Sequence, residues 1–285
     1  MHKVLVFGSN GLLGSQFAKQ LTKSDKYELL APSRDLVDLC SEVQVREYIT
    51  EHKPDYIINC AGYNLVDQCE IDEQQQEMAM NLNVKAPEML AKLALEQNAR
   101  FITFSTDYVF DGSKESPYLE TDETNPINYY GQTKLMAEKA VAAINPQALI
   151  IRTQWLFGPG RRDFIDAILP KLENAEPVPV VNDQVGCPTY TVDLTINVIE
   201  NFLNSDLSGV IHLVNQGAVS WYEYTLAVQE VLGTNAHVVP VDSGGFKRLA
   251  TRPKNSILSS VKVKPMRAFK EALQDREAKG HFAEI

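Results

Sequence analysis

The stretch Val4-Leu5-Val6-Phe7-Gly8-Ser9-Asn10-Gly11-Leu12-Leu13-Gly14 decides the fold. Four apolar residues read as a β-strand, glycine ends them, and the apolar spacing of residues 12–21 is helical. A helix that opens straight off a strand presents unpaired backbone N–H groups, and glycines there let the main chain pass close to an anion. The anion such a turn suits is a dinucleotide pyrophosphate, with Gly8, Asn10, Gly11, Leu12 and Gly14 as candidate contacts. Ordinary tight-turn chemistry is the competing reading of the glycines.

Outward from this turn the alternation of strand and helix continues. Residues 27–31, 56–59, 100–104 and 149–152 read as strands, and residues 43–51 and 78–97 as helices. That order implies an α/β fold with a doubly wound, parallel Rossmann-type sheet. After Trp155-Leu156-Phe157-Gly158-Pro159-Gly160 the rhythm changes to helices, loops and scattered strands such as 210–214 and 238–241. The expected organisation is a nucleotide-binding domain over residues 1–157 and a smaller α/β substrate-binding domain over 158–285, with segments able to return to the first. The charged stretch 267–281 reads as a solvated terminal helix.

The second strand ends Ala31-Pro32-Ser33-Arg34, with no acid to bind a ribose 2′-hydroxyl. Ser33 and Arg34 suit a 2′-phosphate, so NADPH is the expected cofactor and NADH the alternative. Asp38 is assigned to the adenine side of the cofactor, or to capping the helix near Ser41. Cys60, Ala61 and Gly62 follow the third strand as small residues against which a cofactor ribose can lie.

Tyr130 and Lys134 stand four residues apart and so share one face of the helix implied by the following residues. A nearby ammonium and the charge of a bound cofactor favour phenolate and make the phenol a better acid toward a developing alkoxide. Ser105 and Thr106 emerge at the C-terminal end of a buried strand, where doubly wound sheets bind ligands. Thr106 is the preferred partner of a substrate oxygen. Ser105 is assigned to substrate as well, or else to local backbone.

These residues also carry a resemblance. Ser105-Thr106-Asp107-Tyr108-Val109-Phe110-Asp111-Gly112, Tyr130 with Lys134, Arg152-Thr153-Gln154-Trp155-Leu156-Phe157-Gly158, Asp183-Gln184-Val185-Gly186-Cys187-Pro188-Thr189 and Arg252-Pro253-Lys254-Asn255-Ser256 stand in order. Together they resemble the dTDP-4-dehydrorhamnose reductase family, and the GxxGxxG spacing is that of extended short-chain dehydrogenase/reductases. The resemblance implies Thr106, Tyr130 and Lys134 as catalytic set, with Gly8, Gly11, Gly14, Ala61 and Lys134 along the cofactor. It implies Asp107 and Trp155 facing the sugar, with core packing as the alternative for Trp155. Arg252 is assigned to substrate phosphate, with a structural carboxylate as its alternative.

The activity so implied is NADPH-dependent reduction of the 4-keto group of a dTDP-linked 4-keto-6-deoxyhexose. Tyr108 follows Asp107 where a related dehydratase carries a second acid, which favours reduction over loss of water. An NDP-sugar epimerase and a non-catalytic NADP-binding regulatory subunit are the other readings, the latter opposed by the intact Thr106, Tyr130 and Lys134. Three positions depart from the family pattern: Gln16 replaces a Glu associated with a metal-bridged dimer, Cys187 a usual Ser, and Gln154 a common Ser.

Composition sets the outer bounds. The chain has 285 residues, 44% hydrophobic, with a net charge of −10, enough for a large core and opposed to nucleic-acid binding through clustered cations. The apolar run at the N-terminus is too short for a signal peptide, and no run approaches the ~18 residues of a membrane span. A cytoplasmic protein, monomer or homodimer, is expected. Cys40, Cys60, Cys69 and Cys187 show no CxxC pair, so reduced thiols filling the core are expected and no metal.

Overall fold

The computed structural model describes residues 1–173 and 176–280. Its centre is a six-stranded, all-parallel sheet. The labelled elements are β1 (His2–Phe7), α1 (Gly14–Thr22), β2 (Tyr27–Leu30), α2 (Glu42–His52), β3 (Tyr56–Asn59), α3 (Glu73–Met80), α4 (Ala86–Glu96), β4 (Arg100–Thr106), α5 (Tyr129–Ile144) and β5 (Leu149–Thr153). The sheet order is Gly209–His212, β5, β4, β3, β1, β2. Gly209–His212 comes from the second half of the sequence yet pairs with Leu149 to Arg152 in parallel register.

Side-chain alternation explains why β1 reads as a continuous apolar run. Val4 and Val6 point into one core with Phe17 and Leu21 of α1 and with Leu194 and Val198 of a later helix. Leu5 and Phe7 point into the opposite core with Val45, Ile49, Leu90, Ala94 and Val141 from α2, α4 and α5. A sheet covered on both faces has no polar side to show.

A third core joins Phe157, Ile165, Tyr190, Tyr224 and Val228 to Phe269, Ala272 and Leu273. It corrects the solvated reading of the terminal helix. The helix Phe269–Ala278 buries Arg276, which forms ion pairs with Asp163 and Asp166. Its charges are partly internal, and charge density alone does not reveal that. His281 lies outside the described residues.

The helix expected over 78–97 is interrupted by a π-helical turn, Asn81–Lys85. Asn83, fully buried in that turn, accepts from the Tyr63 N–H at 2.7 Å and donates to the Tyr63 carbonyl at 3.0 Å. The extra residue turns an amide onto the loop after β3, and such turns favour functional sites. No helix among the described residues is long and apolar enough to cross a membrane.

Candidate active site

The chain crosses from one side of β1 to the other between β2 and β3, which opens a crevice at the C-terminal ends of β1 and β3. Gly8 occupies it with φ +76°, and a Cβ there would lie 2.6 Å from the Ala61 nitrogen. The Gly11 N–H donates to the Gly8 carbonyl at 2.9 Å, closing the turn. A Cβ on Gly14 would stand 2.1 Å from the Gly8 oxygen, so Gly14 lets α1 press on the turn and does not itself line the cavity.

A cavity of about 870 Å³ runs from this turn to the end of β4 and to Trp155. Asn10, Leu12, Cys60, Ala61 and Gly62 line its glycine end, and Arg34 and Asp38 the end beyond β2. Arg34 is exposed and has no ion-pair partner among the described residues. Ser33 is exposed but not in the lining, and its carbonyl accepts from the Leu36 and Val37 N–H groups. Asp38 is not the cap of α2: its carboxylate accepts from the Cys40 N–H, and Ser41 caps the helix.

The opposite end gathers Thr106, Tyr130 and Lys134. Asn128 caps α5 by accepting from the Gly131 N–H at 2.7 Å. A Cβ on Gly131 would come within 2.2 Å of the Tyr108 carbonyl, so this glycine brings α5 onto the end of β4. Tyr130 is thereby placed in the cavity wall, within hydrogen-bonding reach of Thr106 and 3.4 Å from the side-chain oxygen of Asn64. Lys134, one turn on, is 7% exposed and donates to the Phe104 carbonyl at 2.7 Å. Burial pulls its ammonium down to about 8, with Glu138 opposing.

The Tyr130 phenol moves opposite to the sequence expectation. Desolvation raises it above its ordinary value, Asp107 and Tyr108 add to the rise, and the Thr106 hydrogen bond opposes it. The Lys134 ammonium is turned to a backbone carbonyl. Tyr130 is consequently held as phenol at neutral pH, the form a proton donor requires.

Other assigned residues find different partners. The Ser105 hydroxyl donates to Glu138, whose carboxylate also receives Arg152 through Nε at 2.9 Å, so Ser105 belongs to a buried charge network. Arg252 is held by both oxygens of Asp67, which also accepts from the Leu249 and Ala250 N–H groups. The carboxylate alternative therefore describes Arg252, and its guanidinium also reaches the phenol of Tyr108. Asp107 is 2% exposed, lines the cavity beside Thr106 and accepts from the Thr106 hydroxyl.

Trp155 lines the cavity at φ +45°, one ring face stacked on Trp221 at 3.6 Å between centroids. Trp221 and Asn64 were not legible as site residues. For Trp221 the available signal is the Ser220-x-x-Glu223 capping box, which starts a helix with an aromatic at its first position. Gln16 is buried and donates to the Pro159 carbonyl at 2.8 Å. Cys69 and Cys187 are buried, whereas Cys40 is exposed and fills no core.

Comparison with known proteins matches this architecture. A family model described as the RmlD substrate binding domain matches residues 1–281. A dTDP-4-dehydrorhamnose reductase from Aggregatibacter actinomycetemcomitans is 34% identical over 274 residues, 92% of each chain. A crystal structure of a dTDP-4-dehydrorhamnose reductase from Clostridium acetobutylicum superposes with a TM-score of 0.92 at 35% identity, covering 97% of this chain and 99% of that one. The Bacillus anthracis dTDP-4-dehydrorhamnose reductase, solved in complex with NADP, gives 0.91 at 30% identity, covering 98% and 99%. With a family model spanning nearly its whole length and relatives above 30% identity along both chains, the protein belongs to the RmlD, or dTDP-4-dehydrorhamnose reductase, family.

Proposed function

We propose that the protein uses NADPH to reduce the 4-keto group of a dTDP-linked 4-keto-6-deoxyhexose, the reaction type of dTDP-4-dehydrorhamnose to dTDP-rhamnose. The observation that carries this reading is one continuous cavity with the glycine turn and Arg34 at one end and Thr106, Tyr130 and Lys134 at the other. The names of the relatives and the NADP in the Bacillus anthracis structure support it.

The residues present fit the cofactor. Gly8 and Gly11 form a backbone cradle closed by a hydrogen bond, and Gly14 keeps the helix against it. Arg34 offers a planar fork suited to a 2′-phosphate, and the Lys134 ammonium, inside the cavity, suits a ribose hydroxyl. Bound there, NADPH supplies the hydride. Tyr130 donates a proton to the oxygen left on the sugar, and Thr106 orients that oxygen. Trp155, with Trp221 behind it, gives an apolar wall for the C–H face of a hexose.

Following NADPH absorbance with dTDP-4-keto-6-deoxy-L-mannose tests the reading, and NMR of the product reads its configuration at C4. Oxidation of NADPH matched by reduced sugar is the expected result. Cofactor binding without turnover would overturn the substrate assignment. Arg34→Ala raises the Kd for NADPH by roughly tenfold to a hundredfold and leaves NADH almost unchanged, since a charge-assisted contact of about 1.5–3 kcal/mol is lost to one cofactor alone. Fluorescence titration of both cofactors checks this, and equal losses would remove Arg34 from the 2′-phosphate.

A further inference from the structure

The Thr106 hydroxyl lies 2.9 Å from Asp107 Oδ1, and its oxygen accepts from the Tyr108 N–H at 3.2 Å. A hydroxyl has one proton and two acceptor sites. If Asp107 is ionised, that proton is committed to the carboxylate and one lone pair holds Tyr108. Thr106 then turns a lone pair toward a ketone oxygen, which repels it. If Asp107 is neutral, its own O–H donates to Thr106, and the Thr106 proton is released toward the ketone.

We propose that Asp107 is a positioning residue that works in its neutral form, donating to Thr106 so that Thr106 donates to the keto oxygen of the substrate. The inference rests on the reductase reading of the site. No proton leaves Asp107 during turnover: hydride goes to carbon, the Tyr130 proton goes to oxygen, and solvent reprotonates the phenolate.

The surroundings of Asp107 penalise its ionised form. Asp107 is 2% exposed, and its Oδ2 is buried with no hydrogen-bond partner among the described residues. Ionised carboxylates are costly where an oxygen lacks a donor. Thr106 reaches it from β4, Tyr108 from the turn beyond, Tyr130 from α5, Cys187 from the segment 187–190 and Ser256 from the segment 252–256. None of these is charged at neutral pH. Of the nearby cations, Lys134 donates to the Phe104 carbonyl, Arg252 is paired with Asp67 and reaches the Tyr108 phenol, and Arg248 acts on Tyr108 from further along the chain. Burial pushes the Asp107 carboxyl up to about 6, with the nearby Ser256 and Thr106 hydroxyls and the Asp107 and Tyr108 N–H groups opposing the rise.

The test combines kcat/KM between pH 5 and 8 for wild type, D107N and D107A with a 13C NMR titration of aspartate carboxyls, the Asp107 resonance being the one D107N removes. The assays use NADPH and dTDP-4-keto-6-deoxy-L-mannose. In the wild type kcat/KM falls as pH rises through about 6. In D107N, whose amide donates at every pH, that limb disappears, so the D107N to wild-type ratio grows up to about tenfold per pH unit above 6. D107A, which neither donates nor ionises, runs flat through pH 6 at roughly tenfold below the low-pH plateau of the wild type. A wild-type profile flat through pH 6, or a D107N profile that keeps the limb, overturns the proposal while the reductase reading stands. Absence of wild-type turnover overturns the reductase reading instead. The resonance then still decides on Asp107: titration near 6 supports its neutral form, and titration below 4.5 overturns it.

Discussion

Tyr130→Phe lowers kcat by about a hundredfold or more and leaves NADPH binding and the thermal midpoint close to wild type. The change removes one hydroxyl. Its hydrogen bond to Asn64 is long, 3.4 Å, and its other partner, Thr106, is already committed to Asp107 and Tyr108. Folding therefore loses little, and the ring keeps its edge-to-face contact with Tyr108 at 5.9 Å. Catalysis loses the acid. A phenol is protonated at neutral pH at its ordinary value and desolvation raises it further, so in the wild type the proton is present for a developing alkoxide. Thr106 remains in the variant to orient the oxygen, which leaves residual turnover. Stopped-flow NADPH oxidation at saturating substrate measures the effect. A variant within about threefold of wild type would show that another group delivers the proton, and neutral Asp107 acting through Thr106 would be the first to examine.

How much of this was legible in the sequence depends on whether a residue answers to the backbone or to a distant side chain. The glycine turn was readable because close backbone approach excludes a Cβ: Gly8 against Ala61 and Gly14 against Gly8 leave room for hydrogen only. Tyr130 and Lys134 were readable because helical spacing puts them on one face. Ser105, which does line the cavity, and Arg252 have structural partners that the sequence did not show, for a common reason. Each is a polar residue at a plausible distance from ligand, and each is claimed by a partner far along the chain, Glu138 at a separation of 33 and Asp67 at 185. Spacing patterns carry no record of such partners. The Phe104 carbonyl that takes the Lys134 ammonium likewise comes from another element and was not readable from the spacing. Gly209–His212 shows the same limit at the level of topology: a short apolar strand pattern does not say which sheet edge it will join.

Arg152→Met destabilises the protein by about 3–5 kcal/mol, seen as a lower denaturant midpoint with an unchanged m-value. Arg152 and Glu138 are each 5% exposed at the side chain, with bonds from Nε to Oε1 at 2.9 Å and from Nη2 to Oε2 at 2.6 Å. Removing the guanidinium leaves a buried carboxylate held by the Ser105 hydroxyl, and an uncompensated buried charge costs more than the intact pair contributes. The double variant Glu138→Gln with Arg152→Met removes both charges and recovers much of the loss, so the coupling is measurable as a double-mutant cycle. A single-variant loss under about 1 kcal/mol would mean that water or a rearranged side chain reaches Glu138. The pair also bears on catalysis. Ser105 and Arg152 are register partners on β4 and β5, and both reach across to Glu138 on α5, tying that helix to two strands at once. Tyr130, Lys134 and Glu138 follow at four-residue steps along the same helix face. The buried network fixes the helix that carries the proton donor, so Arg152→Met lowers kcat as well as stability, whereas the charge-free double variant regains activity in step with its midpoint.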